Sequence, residues 1–141
     1  MTSLLGPLVG EPPRPGVYRL PGRAVDIAAA LRAAGWHTAV VSATSSKAGF
    51  YAGTARALGF PSHFGANLDA LWDSLTDLER PTVLVLPEWR TLARAAPEDW
   101  AAILAVLTER TRTTPAFAVV LGGRGTPVAP SSGHPADGGV G

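Results

Sequence analysis

In FPSHFGANLDALWDSLTDL, residues 60–78, a turn-forming loop runs into a short amphipathic segment. Asn67 is placed to cap a helix, and Leu68, Leu71, Trp72, Leu75 and Leu78 then recur at helical spacing, a stripe that faces a core. Asp69, Asp73 and Asp77 stand four residues apart on another face, where like charges repel by roughly 0.2–0.5 kcal/mol per pair. Between His63 and Glu79 there is no Lys or Arg, so this window concentrates negative charge in a chain whose formal net charge is +1. A solvated helix face is the ordinary fate of such a row. Trp72 beside Asp73, with His63 and Phe64 just upstream, adds aromatic area to fixed negative charge, a combination suited to recognising cationic groups.

Outward from this segment the chain alternates short apolar runs with helical patterns. Strands are predicted over 16–21, 37–43, 81–89 and 116–123. Helices are predicted over 24–36, from a cap at Ser45 or Ser46 to Gly59, from Asn67 through Leu78, and from Pro97 to about Arg112. VLVL at 83–86 is uninterrupted apolar sequence, as in a parallel strand covered on both faces. Strands separated by helices imply an α/β fold with a parallel sheet and right-handed crossovers. Residues 1–15 read as a flexible extension, 16–122 as one domain, and 123–141 as a disordered tail with too little apolar content to pack.

Composition removes several function classes. With 141 residues, 46% hydrophobic and 16% charged, the chain suits one compact domain, and without cysteine it has neither disulfides nor a thiolate metal site. The N-terminal segment lacks a basic region and is broken by Gly and Pro, so it does not read as a signal peptide, and no apolar run approaches the ~20 residues that span a bilayer. A soluble cytoplasmic protein, not a membrane protein, is expected. His37, His63 and His134 are scattered, and no HExxH, GxGxxG, P-loop or GxSxG is present; GGRG at 122–125 enters the tail. No metal or cofactor is expected. Asp69 and Asp73 as an acid–base pair would need a cleft that a helix surface does not supply, so the chain does not read as an enzyme. A nucleic-acid binder would show a clearer basic excess. Trp89 and Trp100 are assigned to packing.

FPSHFGANLDALWDSLTDL followed by VLVLPEWR resembles the central signature of the barstar family, intracellular inhibitors of secreted microbial ribonucleases. The resemblance covers roughly residues 36–122 in element order, with residues 16–36 a family-atypical strand and helix. It implies a three-stranded parallel sheet, with a possible fourth N-terminal strand, flanked by helices in three layers. It also implies an acidic helix and preceding loop that plug a ribonuclease active site in a 1:1 complex, as an antitoxin or immunity protein does. Carried over by position, Asp73 enters the phosphate-binding pocket of the enzyme and Asp69 meets a neighbouring arginine. Glu109 is a further acidic contact if a small gap follows Arg90, and Gly65, Asn67, Leu68 and Trp72 help form the surface. His63 stands where the family prototype has a tyrosine, and Ser74 and Pro115 where it has cysteines. The alternative is a barstar-fold interaction or regulatory module with a non-ribonuclease partner.

Overall fold

The structure, a computed structural model, describes residues 14–42, 46–61 and 65–122. Most of the expected N-terminal extension, the site residue His63 and the expected tail lie outside them. Among the described residues there are four strands and five helices. In chain order they are β1 (Gly16–Arg19), α1 (Ala24–Ala33), β2 (His37–Val40), α2 (Lys47–Leu58), α3 (Leu68–Thr76), β3 (Thr82–Leu86), α4 (Trp89–Ala95), α5 (Pro97–Arg110) and β4 (Phe117–Leu121). The strands form one sheet in the order β1-β4-β3-β2, and every pair is parallel. The fourth, N-terminal strand is therefore present.

Strand order explains which helix goes where. From β2 through β3 to β4 the chain steps across the sheet in one direction, whereas β1 to β2 steps back across both central strands. Crossovers of a single hand then require α1 on the opposite face from the later helices. The two cores show this division. Ile27 and Leu31 of α1, with Leu20 and Trp36, pack on Val83, Val85, Ala118 and Val120. On the other face Leu84, Leu86, Phe117, Val119 and Leu121 meet Phe50 and Tyr51 of α2, Leu71 and Leu75 of α3, Leu92 of α4, and Trp100, Ile103 and Leu107 of α5. Alternate residues of β3 and β4 feed the two cores, so both strands are buried throughout.

Several predicted boundaries move inward, the strand over 16–21 ending at Arg19, the strand over 37–43 at Val40 and the helix from Pro97 at Arg110, and two further changes have a visible cause. The first helix ends at Ala33, short of residue 36, and Gly35 then takes φ +101°, a backbone conformation that glycine adopts without strain. The strand predicted over 81–89 stops at Leu86; Pro87 and Glu88 turn, and Trp89 opens the short helix α4, which the sequence pattern does not reveal. Trp89 is pulled out of any strand by its own contacts: its Nε1 donates to the Gly122 carbonyl at 2.8 Å, and its ring stacks on Trp100 with centroids 5.7 Å apart. Among the described residues no helix is long and apolar enough to cross a membrane.

Because α1 is the described helix that covers this face, deleting residues 1–35 exposes Val83, Val85 and Val120. Full burial of Ile27 and Leu31 is worth about 3–6 kcal/mol together. The truncated chain is expected to bind a hydrophobic dye and to lose its cooperative urea transition; an unchanged midpoint would contradict the packing described.

Candidate partner-binding surface

α3 has nine residues, fewer than the ~12–15 at which isolated helices become marginally stable, so its ends and its buried stripe must hold it. At its start, Asn67 Oδ1 accepts the Ala70 N–H at 2.8 Å while Asn67 Nδ2 donates to the Gly65 carbonyl at 3.3 Å. One side chain thus caps the helix and fastens the loop that enters it. A Cβ on Gly65 would lie 3.2 Å from Asn67 Nδ2, and Ala66 between them holds φ +53°, an uncommon left-handed conformation for a residue with a side chain. Asn67, Leu68 and Asp69 border a cavity of about 440 Å³ together with Lys47, Tyr51 and Asp99.

Along the helix, Leu71 and Leu75 are fully buried, Leu68 and Leu78 pack partly against the same core, and Trp72 is half-buried. Asp69, Asp73 and Asp77 are exposed. Among the described residues, none of them, nor Glu79, is in an ion pair; the pairs present are Lys47–Asp99 and Arg112–Glu109, each at 3.8 Å. Asp69 sits in the first turn, where the helix dipole favours it, but Asp77 is the C-cap, where the dipole opposes it, and the last turn carries no basic residue. The row is a set of unneutralised carboxylates on a backbone that cannot easily rearrange.

The far end of α3 is fastened by a residue that the sequence analysis did not single out. Arg110, in the last turn of α5, has no exposed surface. Its Nε donates to the Leu75 carbonyl at 2.8 Å, and its Nη1 donates to the Thr113 carbonyl (3.1 Å), Thr113 Oγ1 (2.9 Å) and the Pro115 carbonyl (2.9 Å). Its Cζ lies 5.5 Å from the centre of the Phe117 ring. Burial pushes this guanidinium below its ordinary pKa. The signal was available: Trp100, Ile103, Leu107 and Arg110 fall on one apolar stripe, and an arginine there must find acceptors. Glu109, one residue earlier, is exposed and lies in the turn of α5 that touches the last turn of α3; it is the one proposed acidic contact with a cation already beside it.

A loop and acidic helix of this form, followed by a buried central strand, match a family model described as Barstar (barnase inhibitor) over residues 36–122, more than half of the chain. The chain belongs to the barstar family. Comparison with curated proteins gives no match. The barstar match begins at Trp36 and so includes β2 through β4 but not β1 and α1, although β1 is an edge strand of the sheet and α1 packs on one of its faces. Of the expected contact residues, Gly65, Asn67, Leu68, Asp69, Trp72 and Asp73 follow one another along the loop and α3, and Glu109 approaches from α5.

Asn67→Ala is expected to lower stability by about 0.5–2 kcal/mol and to speed hydrogen exchange in the first turn of α3. Arg110→Met strands the Thr113 and Pro115 carbonyls, at a cost of roughly 1–3 kcal/mol for each one left unsatisfied, and leaves the Leu75 carbonyl only the 3.3 Å bond from the Leu78 N–H. Urea denaturation measures both, and exchange at Thr76–Leu78 reports whether the last turn of α3 has frayed.

Proposed function

We propose that this barstar-family protein inhibits a barnase-type or related microbial ribonuclease inside the producing cell, by lodging α3 and its preceding loop in the active site of the enzyme. The single observation that carries this reading is the exposed, unpaired carboxylate row of Asp69, Asp73 and Asp77 on a helix tethered at both ends. A ribonuclease active site is built from cations placed to stabilise phosphate charge. A carboxylate held rigidly on a helix occupies such a site as a phosphate mimic, and arginines bind it with short, charge-assisted hydrogen bonds.

In this reading Asp73 enters the pocket and Asp69 meets a cation beside it. Trp72, Leu68, Asn67 and Gly65 supply the surrounding contact area, and Glu109 adds an acidic contact from α5 after giving up Arg112. His63 contributes from the loop. Inhibition is occlusion, with no bond made or broken and no metal or cofactor, and the complex is 1:1. Prearrangement keeps the ordering cost of association low, because the carboxylates need not be gathered at the moment of binding.

The test is a titration of wild-type protein and Asp73→Ala into an RNA-cleavage assay with a barnase-type ribonuclease. Asp73 is exposed, so the alanine variant should keep its unfolding free energy within the range usual for surface substitutions, about 0.5 kcal/mol. Stoichiometric inhibition by the wild type, with the variant dissociating roughly 30-fold faster or more, is expected of an interface hot spot worth about 2 kcal/mol. Equal inhibition by both would remove Asp73 from the site. No inhibition by either, across several such enzymes, would assign the acidic row to a partner that is not a ribonuclease.

A further inference from the structure

At the end of the sheet where β2 and β3 begin, three side chains from separate elements converge. Arg32 in the last turn of α1 donates from Nη2 to the Thr38 carbonyl at 3.4 Å. Arg80, in the connection from α3 to β3, places Nη2 3.0 Å from His37 Nδ1. The backbone holds the histidine: the His37 N–H donates to the Pro81 carbonyl at 2.9 Å, and His37 is the register partner of Thr82.

The chemistry of this contact assigns the proton. Arginine has only donors, so Nδ1 must be the acceptor, and the imidazole is neutral with its hydrogen on Nε2. In agreement, burial first, then the charges of Arg80 and Arg32, hold the His37 pKa below its ordinary value, and no carboxylate acts in the other direction. Glu79, the residue before Arg80, makes no ion pair among the described residues, and neither do Arg32 and Arg80. The groups left over are therefore all donors: the remaining N–H groups of two guanidiniums and the Nε2–H of His37. A like-charged set with no counter-ion among the described residues binds what supplies acceptors and negative charge.

We propose that Arg32, His37 and Arg80 form an oxyanion-binding site, distinct from the acidic row and opposite to it in charge. A tetrahedral phosphate or a carboxylate accepts from both guanidiniums and from the imidazole. Occupancy and protonation of His37 are linked: once imidazolium, the ring can no longer accept from Arg80, which turns to the anion while the ring becomes a second cationic donor. By reciprocity, an anion raises the His37 pKa, and affinity for the anion rises as pH falls through it.

Two sources could supply the oxyanion: free phosphate, or a carboxylate of the protein partner. The site is tested on the free protein, independently of the inhibitor reading. Inorganic phosphate is titrated into the wild type at constant ionic strength while the ring protons of His37 are followed by NMR, with His63 and His134 as internal references. A saturable shift confined to His37, with its pKa raised, absent with chloride and lost in Arg80→Gln and Arg32→Gln, is expected. An equal response to chloride, a response retained in both variants, or no saturable response overturns the proposal. Repeating the titration in the presence of a bound ribonuclease separates the sources: a His37 that no longer responds to phosphate is covered by a carboxylate of the partner, and an unchanged response leaves free phosphate as the ligand.

Discussion

A fully buried guanidinium on α5 that donates to the Leu75 carbonyl joins the acidic helix to the body of the protein. The same side chain gathers the Thr113 and Pro115 carbonyls of the turn entering β4, so one residue couples the end of α3, the end of α5 and the start of a central strand. A nine-residue helix with a row of like charges would not persist alone. It persists because Leu71 and Leu75 are buried, Asn67 holds one end and Arg110 the other. Arg110 Nη2 has no partner among the described residues, so the tether carries a polar cost that its other bonds offset.

That anchoring gives the charge pattern its meaning. Counted over the whole chain, +1 names no partner. In space the sign is segregated: among the described residues, carboxylates without an ion pair run along α3 and two guanidiniums without one stand around His37 at the start of the sheet, with only Leu78 and Glu79 between Asp77 and Arg80. A surface that changes sign over so short a span selects orientation as well as attraction, since a partner docked the other way round meets like charge.

Much of this could be read from the letters. The Asn67 cap, the stripe of Leu68, Leu71, Leu75 and Leu78, and the apolar run of β3 each reflect a local rule, the cap geometry or the helical or strand period, and each stands as expected. Of the two residues expected to cap α2, Ser46 does so, its side chain accepting the Gly49 N–H at 3.0 Å, and Ser45 lies outside the described residues. α4 was hidden because WRTLARA buries only Leu92, too few apolar positions to show a period, and because its start is set by the bond from Trp89 to Gly122, 33 residues away. For the candidate surface, Asp69, Asp73 and Trp72 were legible from spacing, while the part played by Arg110 was not.

By itself, then, the sequence determined the order of the strands and of every described helix except α4, the parallel α/β class, and the placing of three carboxylates on one helix face, because these follow from periodicity and capping within a few residues. Only the tertiary structure decided that α1 covers the second face of the sheet, that Arg110 locks α3, and that Arg32, His37 and Arg80 meet. Each of these joins residues brought together by the strand order β1-β4-β3-β2, and the energies that select that order come from burial and hydrogen bonds between segments far apart in the chain.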